Sequence, residues 1–127
     1  MNKKVVFTTK APAAIGPYSQ AITTGNLLFA SGQIPVDPAT GEVVAGGIEA
    51  QTKQVLANIR AVLAEAGAGM ESVIKTTVFL TDLGDFQTVN AIYGEAFAQE
   101  PPARSCIQVS ALPKGVAVEI EVVAVLS

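Results

Sequence analysis

Apolar residues recur along this chain at two spacings, and each change of spacing marks an element. Residues 26 to 33 (NLLFASGQ) form an apolar run bounded by glycine, which predicts a strand. The segment 35 to 41 (PVDPATG) that follows carries turn chemistry. From residue 48 the period lengthens. Ile48, Thr52, Val55, Leu56, Ile59, Val62, Leu63 and Ala66 fall at helical spacing, with Gln51, Lys53, Gln54, Arg60 and Glu65 between them and Gly67 as a stop. Residues 73 to 80 (VIKTTVFL) are rich in β-branched side chains and read as a second strand. Asp85 is placed to cap a second helix whose Phe86, Val89, Tyr93 and Phe97 lie along one stripe, and Pro101 and Pro102 prevent its continuation. Past the prolines the side chains alternate, so Arg104, Cys106 and Gln108 share one sheet face while Ser105, Ile107 and Val109 share the other. The last predicted strand runs from 116 to 126. Val116, Val118, Ile120 and Val122 take one face, and Ala117, Glu119, Glu121, Val123 and Val125 the other.

The pattern is α+β: a sheet with two helices, which suffice to cover one of its faces. The other face bears Val123, Val125 and Phe29 and needs a partner, and symmetric self-association is the commonest solution, so a homo-oligomer is expected. Arg104, Cys106 and Glu119 are expected together on that uncovered face, opposite Ile107, Val109, Val118 and Ile120. A site there would sit between subunits.

Length and composition narrow the chemistry. The 127 residues, half of them apolar, are expected to form a single domain over 1–127 with a sizeable core. Eight basic against eleven acidic residues give a net charge of -3, and no run of Lys or Arg could follow a phosphate backbone, which argues against nucleic acid. No stretch approaches the roughly 18 apolar residues of a membrane span, so no membrane partner and a cytoplasmic location are expected. One cysteine and no histidine exclude an internal disulfide, zinc sites of the Cys/His kind and His-based triads or bases, and no metal site is expected. Chemistry falls to Arg, Lys, Tyr, Ser, Asn, carboxylates, backbone groups or the Cys106 thiol. Among these Arg104 stands out, because a guanidinium at the mouth of an apolar strand can fork onto a small carboxylate.

These residues resemble the RidA family, also called YjgF/YER057c/UK114, of reactive enamine and imine deaminases. The resemblance runs in order over nearly the whole chain: residues 11–20 (APAAIGPYSQ), 31–35 (SGQIP), 75–82 (KTTVFLTD), 89–90 (VN), 102–106 (PARSC), 112–113 (LP) and 118–122 (VEIEV). It implies a fold similar to chorismate mutase, with a mixed sheet backed by two helices and three subunits packing their sheets into a barrel with clefts between them. It also implies hydrolysis of 2-iminopropanoate, its enamine tautomer 2-aminoacrylate and the four-carbon analogue to 2-oxo acids and ammonia, without a cofactor. Such species are released by pyridoxal-phosphate-dependent dehydratases.

Carried onto this chain, the resemblance makes Arg104 the residue that holds the substrate carboxylate and Glu119 the one that positions the attacking water and accepts its proton. Cys106 lines the same pocket, where its backbone groups can hydrogen-bond the imine nitrogen without any need for a nucleophilic thiol. Tyr18, Ser31 and Asn90 line or close the cleft, with Tyr18 on a Gly16-Pro17 turn.

Plainer readings stand beside these. Arg104 could pair with a carboxylate at a subunit contact, Cys106 could be a small buried hydrophobe, and Tyr18 and Asn90 a packed aromatic and a surface amide. Glu121 reads as an interface or solvent charge. Gly16, Gly32 and Gly41 read as turn and close-approach glycines. Three rival functions also stand: a module that binds a 2-oxo acid without turnover, the ribonuclease or translation-inhibitor activity attached to some eukaryotic relatives, and a structural or chaperone-like oligomer.

Overall fold

The computed structural model describes residues 2–127. Its strands are β1 (Lys3–Val6), β2 (Ala21–Thr24), β3 (Leu27–Ala30), β4 (Val73–Leu80), β5 (Ala103–Gln108) and β6 (Val118–Val125), and its helices are α1 (Ile48–Glu65) and α2 (Phe86–Ala96). The strands form one mixed sheet in the order β1-β2-β3-β6-β4-β5. All pairings are antiparallel except β4 with β5, which run parallel across the α2 connection.

The α1 stripe is buried at Thr52, Val55, Leu56, Asn58, Ile59, Val62 and Leu63. It packs with Val89, Tyr93 and Phe97 of the second helical stretch against Leu28, Val78, Leu80, Val118, Ile120, Val122 and Ala124 of the sheet. Both helices therefore lie on one sheet face, as expected. Helix α1 stops where Gly67 takes φ +77°, a conformation that favours glycine, and Ala68 N–H closes onto Leu63 O at 2.9 Å.

Three details differ from the reading of the sequence. The first two strands, β1 and β2, have no strong alternation and went unassigned. The strand expected over 26–33 is hydrogen-bonded as a strand only over Leu27–Ala30, and Gln33 then makes an isolated bridge to Ile120. Asp85 stands at the start of α2 but makes no side-chain cap; Asp82 caps the turn before it, accepting from Gly84 N–H at 2.8 Å.

The open face is laid out by register. One row runs Val5, Ile22, Phe29, Val123 and Lys75 across five strands, and a second runs Glu119, Phe79 and Ile107. Phe29 and Ile107 are 47% and 45% exposed on it, so the face left uncovered by the helices carries the exposed apolar residues expected of it. No helix among the described residues is long and apolar enough to cross a membrane.

Candidate functional site

The parallel register of β5 against β4 decides where Arg104 points. Arg104 pairs with Thr76, Cys106 with Val78 and Gln108 with Leu80, all three partners being buried on the helix side. Arg104 and Cys106 thus lie on the helix side of the sheet, at its edge, and Ile107 lies on the open face beside Phe79. This corrects the expectation that Arg104, Cys106 and Glu119 share the uncovered face. The alternation along β5 holds, but its two faces are exchanged relative to the expectation. On an edge strand Ile107 joins the open apolar face, while α2 receives the arginine.

The guanidinium carbon of Arg104 sits 4.9 Å from the ring centroid of Tyr93 and 5.3 Å from that of Phe86, within cation–π range. Its Nη1 donates to Asn90 Oδ1 at 2.7 Å. Phe86, Asn90 and Tyr93 are spaced i, i+4 and i+7 on α2 and so line one helix face. Among the described residues Arg104 makes no ion pair, which leaves an exposed cation with donors still free. Asn90, expected against substrate, here touches the arginine itself. Burial pushes the Tyr93 hydroxyl pKa up, opposed by its hydrogen bond with Thr76 and by Arg104.

Cys106 is half-buried. Burial raises its thiol pKa and the Arg104 charge only partly opposes this, so the sulfur stays protonated at neutral pH. Its backbone is differently disposed. Val109 N–H reaches back to Leu80 O at 2.8 Å, and backbone groups alternate along a strand, so those of Cys106 point away from β4. Strand β5 is the edge of the sheet, and this leaves them open to a ligand or another chain.

Glu119 belongs to a second cluster on the opposite face. It pairs with Phe79 across β6 and β4, and its carboxylate lies so close to Gly32 that a Cβ there would collide with it. The close-approach reading of Gly32 is thereby given a cause. Burial, and secondarily the Glu121 charge, raise the Glu119 pKa above the ordinary carboxylate value. Ser31, next to Gly32, donates from Oγ to Ser19 O at 2.6 Å and from its N–H to Gln20 O at 2.9 Å, tying β3 to the loop that carries Tyr18. Tyr18 and Gly32 line a cavity of ≈ 480 Å³ together with Ile15, Ile34 and Lys114.

Two buried amides hold the walls of this cavity. Gln20 donates to Thr8 O and Pro12 O at 3.0 and 2.8 Å and accepts from Thr8 N–H at 2.7 Å. Asn58, on the buried face of α1, donates to Ile34 O and Val36 O at 3.1 and 3.0 Å. The sequence reading named neither, nor the aromatic bed of Arg104. Its available signal was the placement of Asn90 in the same stripe as Phe86 and Tyr93.

The six candidate residues are thus divided: Arg104, Asn90 and Cys106 on the helix side at the β5 edge, and Glu119, Ser31 and Tyr18 around Gly32. The sheet separates Arg104 from Glu119 within one chain. One cluster can bind an anion, and the other offers a carboxylate with a raised pKa beside an apolar recess.

The chain matches the family model described as Endoribonuclease L-PSP over residues 8–126. It is 55% identical to a RutC family protein of Pyrococcus abyssi over 98% of either chain. It is 50% identical to the 2-iminobutanoate/2-iminopropanoate deaminase of Mus musculus, covering 97% of this chain and 91% of that one. Among solved structures it superposes on a Yersinia pestis member of the Rid protein family, YyfA, with a TM-score of 0.95 and 53% identity, covering 98% and 99% of the two chains.

Proposed function

The chain belongs to the Rid family, whose model carries the description Endoribonuclease L-PSP, and on that premise we propose that it is a 2-iminobutanoate/2-iminopropanoate deaminase. The observation that carries the reading is the Arg104 guanidinium, set over the Tyr93 and Phe86 rings, anchored through Nη1 to Asn90 and free of any ion pair among the described residues. Its remaining N–H groups are suited to a bidentate fork on a small carboxylate. The mouse relative is named for substrates that are 2-imino carboxylates.

Hydrolysis of an imine needs a water aimed at the C=N carbon and a group to take its proton. Glu119 suits that task, since its raised pKa makes it a better base than an exposed carboxylate once ionised. The outward backbone of Cys106 suits the imine nitrogen, and its protonated thiol takes no part. The chain's own residues supply these roles, and no cofactor is included in the proposed reaction.

Because the sheet separates Arg104 from Glu119, the proposed active site is shared: one subunit brings Arg104, Asn90 and Cys106, and a neighbour brings Glu119, Ser31 and Tyr18. The open apolar face supplies the reason to associate, and a homotrimer with sheets facing inward is the assembly proposed. The cytoplasm, whose reducing conditions suit a free thiol, is the compartment proposed.

A module that binds 2-oxo acids without turnover is the alternative, and the Arg104 cluster alone would serve it. Glu119 favours the hydrolase, because a pure anion receptor gains nothing from a carboxylate near its ligand. The net charge of -3 disfavours a nucleic-acid substrate. The test is the rate of 2-oxobutanoate formation when threonine dehydratase generates the imine, with and without this protein and its Arg104→Ala variant. Acceleration lost in the variant supports imine hydrolysis at this arginine. No acceleration beside an active dehydratase would leave the binding module.

A further inference from the structure

Arg104 ends a series of side-chain contacts that begins inside the core. Thr76 is fully buried on β4, directly across the register from Arg104. Its Oγ1 lies 2.7 Å from the Tyr93 hydroxyl, and the Tyr93 ring packs against Phe97 with centroids 4.6 Å apart. Tyr93 is 4% exposed, so its ring is held on several sides, and it is this ring that lies 4.9 Å from the Arg104 guanidinium carbon. Phe86 extends the aromatic bed toward the surface, and Asn90 engages Nη1 between the two rings.

We infer that Phe86 and Tyr93 are positioning residues for anion recognition at Arg104, acting through their rings. The inference rests on the anion-receptor part of the proposed function. An exposed arginine on an edge strand samples many rotamers, and freezing them on binding costs affinity. Here the Phe86 and Tyr93 rings lie at cation–π distance from the guanidinium and Asn90 takes one edge donor. The donors that remain lie in the guanidinium plane, the direction from which a planar carboxylate forks. Contact with the rings consumes no N–H donor and restrains the side chain, so the receptor is ordered before its ligand arrives. A lysine could not reproduce this, because an ammonium has no plane to stack and no fork. Asn90, expected at the ligand, acts in this arrangement through the arginine.

The experiment is calorimetric binding of 2-oxobutanoate, with KM and kcat for imine hydrolysis measured beside it, for Tyr93→Leu, Phe86→Leu, Tyr93→Phe and Thr76→Val. Loss of either ring is expected to raise both Kd and KM about three- to tenfold while kcat changes by less than about twofold. Tyr93→Phe keeps the ring and is expected to bind within about threefold of wild type, and Thr76→Val, which removes the same hydrogen bond, is expected to match it. Phe86 is only half-buried, so Phe86→Leu decides the matter if Tyr93→Leu fails to fold. A folded Phe86→Leu protein with wild-type Kd and KM would overturn the inference. A wild-type chain that bound no 2-oxo acid would sink the anion reading and the cradle with it. Cradle-dependent binding without turnover would sink only the hydrolase.

Discussion

Arg104 and Glu119 project from opposite faces of the same sheet: Arg104 stands level with Thr76 under the edge of α2, and Glu119 stands level with Phe79 on the open side. No side-chain rotation brings them together through a layer of β-structure. If both act on one substrate, they come from different subunits. Arg104→Ala and Glu119→Gln are each expected to be inactive alone. Mixing them by co-refolding is expected to restore about a quarter of wild-type activity, the product of two even chances that a shared site receives the intact residue from either side. Mixtures as inactive as their parents would place both residues in one subunit's site and refute the sharing.

The raised Glu119 pKa has a sign that can be checked twice. As a base it must be ionised, so imine hydrolysis is expected to fall as pH drops through a value above the ordinary glutamate range. Glu121→Gln removes one of the two causes of the shift and is expected to move that acid limb to lower pH. An unmoved limb would detach it from Glu119.

Stability runs the other way. A carboxyl whose folded pKa is raised favours the neutral acid in the native state; its contribution is complete below the unfolded value and is lost as pH rises through the folded one. Glu119→Gln mimics the neutral form. Its Tm is expected to exceed that of wild type at about pH 8 and to converge on it at about pH 4, below the ordinary glutamate pKa. A Tm gap independent of pH would show that the Glu119 carboxyl titrates alike in the folded and unfolded chain and would refute the raised pKa.

Cys106 is expected to be dispensable as a thiol. Its sulfur is held protonated and its backbone faces outward from the sheet edge, so Cys106→Ser or Cys106→Ala should keep more than about a tenth of wild-type kcat/KM, against a loss of about a thousandfold for a covalent nucleophile. Kinetics of the two variants, with a thiol-specific alkylating agent tested on wild type, decide between these.

Much of this architecture is legible in the residues, and the failures share a cause. Helix α1 is readable because its period runs long and Gly67 stops it, and strand β4 because eight residues rich in β-branched side chains run together, so local pattern and burial agree. Strands β1 and β2 are four residues each and are ordered by their neighbours, which leaves little in their own spacing to find. The alternation of β5 gave the right partition into faces and the wrong assignment of each. Which side of an edge strand meets the helices is decided by register with β4, and no local rule ranks Ile107 against Arg104 once aromatic rings can bed the cation. Asn58 and Gln20 were hidden for a related reason: a buried amide is revealed by the carbonyls it serves, and those are 22 to 24 and 8 to 12 residues away in the chain.

Gly32 links the backbone to the chemistry. Its φ is ordinary, so the position does not need glycine for its conformation; it needs the absence of a Cβ, because the Glu119 carboxylate occupies that space. Gly32→Ala should therefore act on the carboxylate rather than on the backbone. The methyl must push Glu119 away from its place, and a misplacement of about 1 Å can cost on the order of a hundredfold in rate. A fall in kcat of at least about tenfold is expected, with 2-oxobutanoate binding at Arg104 changed far less. Displacing Glu119 toward solvent would also relieve the burial that raises its pKa, so the acid limb of whatever activity remains is expected to move down in pH. Normal turnover by a folded Gly32→Ala protein would mean that the carboxylate needs no fixed position, and would remove Glu119 from the role of aiming the water.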